Sequence, residues 1–146
     1  MRVTVLNGPN LNLLGTREPE VYGRATLAEI EAATRERAAA LGVTLVWHQT
    51  NHEGAFVELV QHLPGSADGA LINAAALTHT SVALRDALLA VRTPFVEVHL
   101  TNILGREPVR RQSLIADLAV GIVAGFGAHS YLLGLDGLVE HLRTGG

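Results

Sequence analysis

Glu97 and His99 stand two apart in the run EVHLTN, and in an extended chain that spacing puts both side chains on one face. A carboxylate so placed can orient an imidazole as a proton donor. The same pair could be half of a metal site, but that reading needs more convergent ligands than the sequence offers. Arg17 and Tyr22 belong to a second polar run, NGPNLNLLGTREPEVYG, residues 7–23. A free phenol, with a pKa near ~10, supplies little base at neutral pH, and a neighbouring guanidinium favours its charged form. Read alone, Tyr22 also suits a half-buried anchor, and Asn7-Gly-Pro-Asn10 a plain turn. Asn73 closes a third run, with His79 close behind in LTHTS, and Arg106, Arg110 and Arg111 follow EVHLTN. The three arginines fit an exposed charged face as well as an anion site.

Composition narrows the chemistry further. All 11 basic residues are arginines and there is no cysteine. Schiff-base catalysis, a pyridoxal phosphate site, a lysine-bearing phosphate loop and thiol chemistry are thereby excluded. At 146 residues, 48% hydrophobic and 17% charged, the chain is expected to form a single catalytic domain over residues 1–146. A net charge of −3 points to neither a nucleic-acid nor a membrane partner. No apolar run approaches the length of a membrane span and no signal-peptide core opens the chain, so a cytoplasmic protein is expected.

The elements that must position these residues alternate. Residues 2–6, 43–48, 69–73, 95–100 and 120–124 read as strands. Thr26 to Glu29 is a capping box that opens a helix with Leu27, Ile30, Ala38 and Leu41 on one face, interrupted by Thr34 and stopped at Gly42. Residues 54–63 form a shorter helix, and Ser81 caps another whose Leu84, Ala87, Leu88 and Val91 share a face. Leu135, Leu138, Val139 and Leu142 mark the last helix. Five apolar, two-sided strands between helices predict an α/β, flavodoxin-like domain: a parallel sheet in the order 2-1-3-4-5 with helices on both faces. Ligands of such sheets bind beyond the carboxyl ends of the strands, at the switch between strands one and three. The polar runs fall at the ends of strands one, three and four, and strands two and five offer less.

The segments NGPNLNLLGTREPEVYG, NHEGAFVELVQ, LTHTSVALRDAL and EVHLTN with REPVRRQS resemble, in order and spacing, the type II 3-dehydroquinate dehydratases. The resemblance implies dehydration of 3-dehydroquinate to 3-dehydroshikimate through an enolate, in the shikimate route to chorismate and the aromatic amino acids. It also implies no metal or organic cofactor, and a homododecamer built from trimers. It makes Tyr22 the base, Arg17 its activating neighbour on a mobile lid, His99 the acid and Asn10 a stabiliser of the enolate through a water. Asn73, His79, Asp86, Leu100, Thr101 and Arg110 would bind substrate, with Asp86, on the outer side of its helix, reaching a neighbouring subunit's pocket. Three places differ from the family pattern: Ala74-Ala75 stands where some members have a Pro-Gly or Ala-Gly pair, Leu104-Gly105 where His-Ala is usual, and Thr101 where serine is usual. A competing reading takes Gly125-Phe-Gly127-Ala-His-Ser130 as a degenerate dinucleotide fingerprint.

Overall fold

The computed structural model describes residues 1–16 and 18–146. Its strands are β1 (Arg2–Asn7), β2 (Thr44–Gln49), β3 (Gly69–Asn73), β4 (Phe95–His99) and β5 (Gly121–Ala124), all paired in parallel in the order β2-β1-β3-β4-β5. The helices are α1 (Pro19–Tyr22), α2 (Leu27–Ala40), α3 (Glu53–Gln61), α4 (Leu77–Thr80), α5 (Val82–Val91), α6 (Pro108–Arg111) and α7 (His129–Thr144). The flavodoxin-like arrangement expected from the sequence is therefore the one adopted.

Alternation along the strands explains the two cores. Val3, Val5, Leu71, Val96 and Val98 face one side and pack with Ile30 and Ala38 of α2 and Leu135, Leu138 and Val139 of α7. Leu6, Ala70, Ile72 and Phe95 face the other, against Phe56 and Val60 of α3 and Leu84, Ala87 and Leu88 of α5. Odd-numbered residues of β3 thus look toward α7. In β4 the phase is reversed, and Phe95, Glu97 and His99 look toward α5. That parity decides which helix layer supports each polar residue at the strand ends.

The local signals act as their chemistry dictates. Thr26 Oγ1 accepts from the Glu29 N–H at 3.2 Å, and Ser81 Oγ accepts from the Leu84 N–H at 2.9 Å. Thr34, which breaks the apolar face of α2, is completely buried and donates its hydroxyl to the Ile30 carbonyl at 2.7 Å. Arg37 pairs with Asp136 through two bonds and clamps α2 to α7. Strand and helix limits differ from the expected ones by one or two residues, where terminal hydrogen bonds rather than apolar pattern set the end. Three four-residue helices, α1, α4 and α6, are added between the expected elements.

Candidate active site

The carboxyl ends of β1, β3 and β4 open into a cleft lined by Leu11, Tyr22, Asn73, His79, His99, Leu100, Thr101, Ile103, Arg106 and Arg110. Seven residues in this lining were expected from the sequence: Tyr22, Asn73, His79, His99, Leu100, Thr101 and Arg110. Asn10 sits on the turn after β1, exposed and with a left-handed backbone (φ 69°), outside the cleft lining. Asp86 is exposed on α5 and also stands outside this lining, as its outward face implied. Arg17 lies outside the described residues.

The acid candidate is held from below. His99 Nε2 donates to Glu97 Oε2 at 2.5 Å, with both side chains buried in the layer toward α5. The second carboxylate oxygen, Oε1, accepts from Ser113 Oγ at 2.8 Å. Ser113 Oγ in turn accepts from the Ile115 and Ala116 N–H groups, at 3.2 and 3.1 Å. Arg85 of α5 anchors that loop by donating to the Leu114 carbonyl and to both carboxylate oxygens of Asp117, and these bonds hold the Asp117 carboxyl below its usual range. Backbone amides, serine, glutamate and histidine thus form one directed chain that leaves Nδ1 of His99 for the cleft. The oxygens of Glu97 are engaged in this chain, and among the described residues no cluster of three His, Asp or Glu side chains is arranged to hold a metal.

Tyr22, at the end of α1, is half-buried against the core that faces α2 and α7. Arg106 Nη2 donates to its hydroxyl at 3.2 Å, and the guanidinium carbon lies 5.3 Å from the ring centroid. Through Nη1 the same guanidinium donates to Thr101 Oγ1 at 3.3 Å. Arg106 therefore ties α1 to the segment after β4. The sequence places Arg106 on a charged face or in an anion site but does not join it to Tyr22, which is 84 positions away.

His79 Nδ1 bonds the Gln112 carbonyl at 2.7 Å. A carbonyl only accepts, so Nδ1 carries the proton, and the neutral ring has an acceptor at Nε2. The Leu114 N–H donates to the Thr78 carbonyl at 2.9 Å, so α4 and the segment after α6 are joined twice. Arg110 is held by the Glu107 carboxylate.

On the opposite face, Asn73 Nδ2 donates to the Tyr131 hydroxyl at 2.9 Å, and Asn73 Oδ1 accepts from the Ala75 N–H at 3.2 Å. Ala75 itself takes the left-handed conformation (φ 52°) that a glycine would relax. The Ala74-Ala75 difference thus leaves a left-handed backbone at this position. Gly8 donates its N–H to the Asn73 carbonyl at 2.8 Å, and a Cβ there would meet the Ala74 oxygen at 2.3 Å. Only glycine permits that approach. Strand two contributes more than the sequence suggested: Gln49 Nε2 donates to the Gly8 carbonyl, and Asn51 Oδ1 accepts from the Asn10 N–H at 2.9 Å.

The glycine-rich turn after β5 is turned inward. The Gly127 N–H donates to the Leu100 carbonyl, the Gly125 N–H to the His99 carbonyl and the Phe126 N–H to Ser130 Oγ. These three donors are spent within the fold, two of them on the end of β4, and are not offered to a phosphate.

A flavodoxin-like domain with a Glu-His pair and an Arg-Tyr pair lining one cleft defines a class of small α/β proteins able to move protons at a strand-tip site. Within it, residues 1–139 match the family model described as Dehydroquinase class II, and the chain belongs to that family. It is 57% identical to a 3-dehydroquinate dehydratase of Parasynechococcus marenigrum (strain WH8102) over 146 residues, all of both chains. It is 59% identical to one of Synechococcus sp. (strain WH7803), over 98% of this chain and 97% of the relative. The crystal structure of a type II dehydroquinase from Butyrivibrio crossotus superposes with a TM-score of 0.92 at 36% identity, covering 94% of this chain and 97% of that one.

Proposed function

We propose that the protein is a hydro-lyase that dehydrates 3-dehydroquinate to 3-dehydroshikimate, with Tyr22 as base and His99 as acid. The phenolate of Tyr22 takes the proton beside the ketone, and the electron pair left on carbon moves onto the ketone oxygen as an enolate. As the enolate collapses, the carbon–oxygen bond to the leaving hydroxyl breaks and His99 gives that oxygen a proton from Nδ1, releasing water. The observation that carries this reading is the pairing of Arg106 with the Tyr22 hydroxyl beside a histidine held through Nε2. The guanidinium offsets the charge a phenolate carries, and Glu97 offsets that of the imidazolium. Arg17 would add a second cation at the phenol.

Asn73 and the backbone at Leu100 and Thr101 would receive the substrate carboxylate, while His79 and Arg110 would meet its hydroxyls. Asn10 would hold a water on the enolate oxygen, which needs preorganised donors. Asp86 would complete the cleft of a neighbouring subunit in a trimer, and four trimers would form the dodecamer. With no lysine in the chain, the reaction proceeds without an imine, so activity should survive borohydride in the presence of substrate. The direct test is turnover of 3-dehydroquinate, followed by the ultraviolet absorbance of the enone product. Absence of turnover by the assembled protein would overturn the reading.

A further inference from the structure

We propose that Tyr131 is a positioning residue for the substrate carboxylate: its buried hydroxyl fixes the Asn73 amide so that one N–H faces the cleft. The inference rests on the assignment of Asn73 to the substrate carboxylate.

The orientation follows from a chain of forced donor and acceptor roles. Asn7 Nδ2 donates to the His48 carbonyl at 3.0 Å, which leaves Asn7 Oδ1 as the atom turned toward Tyr131. That oxygen only accepts, so Tyr131 donates its single proton to it, at 2.6 Å. With its proton committed, the hydroxyl can only accept from Asn73, and it does so from Nδ2 at 2.9 Å. The Ala75 N–H on Asn73 Oδ1 agrees with that orientation from the other end. An amide has two N–H bonds, and the one not given to Tyr131 is available to the cleft that Asn73 lines.

Two further features suit the role. Tyr131 is completely buried in the first turn of α7, its ring 5.6 Å from that of Trp47, so the hydroxyl is held by packing on a rigid element. Burial also pushes its phenol well above the ordinary tyrosine range, so the hydroxyl keeps its proton at working pH. An apolar residue would fill the same space, but only a group that both donates and accepts can carry orientation from Asn7 to Asn73.

The test is steady-state kinetics on the assembled enzyme for Tyr131→Phe, Asn73→Ala and the double variant. Tyr131→Phe keeps the ring and should raise KM for 3-dehydroquinate about tenfold, with kcat changed by less than about threefold. In the Asn73→Ala background the same substitution should leave KM unchanged. If Tyr131→Phe lowers Tm yet keeps the parent KM, or raises KM equally in both backgrounds, the residue is only structural and the proposal is overturned. Asn7→Ala retains Tyr131 but frees its proton, and should raise KM similarly even if Tyr131→Phe does not fold. A parent KM there counts equally against the proposal. Unchanged KM in Asn73→Ala alone would instead remove the assignment of Asn73, and the proposal with it.

Discussion

At the level of single side chains, the two proton-transfer candidates are supported in different ways. His99 has a buried carboxylate beneath it and Ser113 beneath that, whereas Tyr22 is met by a guanidinium from another segment. Tyr22→Phe should lower kcat by ~10³-fold or more while a competitive ligand still binds, because the ring stays and the base is lost. Near-parent turnover in that variant would place the base elsewhere. Arg106→Ala should lower kcat by about 10–100-fold, with most of the loss regained in Arg106→Lys only if charge, rather than the two-pronged contact to Thr101 and Tyr22, is what matters. In His99→Ala, deuterium exchange beside the ketone should outlast dehydration, and its loss would give His99 an earlier role. Glu97 and His99 were legible in the sequence because strand parity pairs them, and Tyr22, which alone suits a half-buried anchor, because the family resemblance marks it. Arg106 was not, since nothing local joins it to Tyr22, while Arg17 was marked by the same resemblance.

Among elements, the joint between β1 and β3 governs how well the cleft is shaped. Ala75 holds a left-handed backbone where glycine would be unstrained, so Ala75→Gly should stabilise the fold by about 1 kcal/mol. For a domain of this size that is a Tm rise of roughly 2–4 °C, measurable by calorimetry; a fall in Tm would show that the alanine methyl packs usefully. Gly8→Ala should act in the other direction, by about 2–3 kcal/mol, because its Cβ would press on the Ala74 carbonyl and part the two strand ends. The strands and the long helices could be read from apolar period and caps, and the strand order from the number of alternating strand-helix units. Helices α1, α4 and α6 could not, because four residues are too few to show a period. The contribution of β2 was hidden for a related reason: Gln49 and Asn51 act on the backbone of another strand's loop.

For the molecule as a whole, assembly and alkaline stability can each be tested. Asp86 projects from α5 outside its own chain's cleft, and if it serves a neighbour, Asp86→Ala and Tyr22→Phe proteins should regain part of the activity when unfolded together and reassembled. No recovery in verified mixed oligomers would remove the shared-site reading. Tyr131 makes a second prediction. Its folded pKa is raised above the unfolded value of about 10, so its stabilising effect is complete below that pH. Above it the unfolded chain releases a proton that the folded chain keeps, and stability falls by up to ~1.4 kcal/mol per pH unit. In Tyr22→Phe, where Tyr131 is the remaining tyrosine, phenolate absorbance should therefore grow only as helical circular dichroism is lost; earlier growth would mean that the hydroxyl is not sealed. The contact between Trp47 and Tyr131 has an optical side as well. Trp47 is the sole indole in the chain, and one phenol separates it from an amide on the cleft wall. Excited at its own wavelength, this built-in fluorophore should register filling of the cleft in its emission colour and lifetime, without any attached dye.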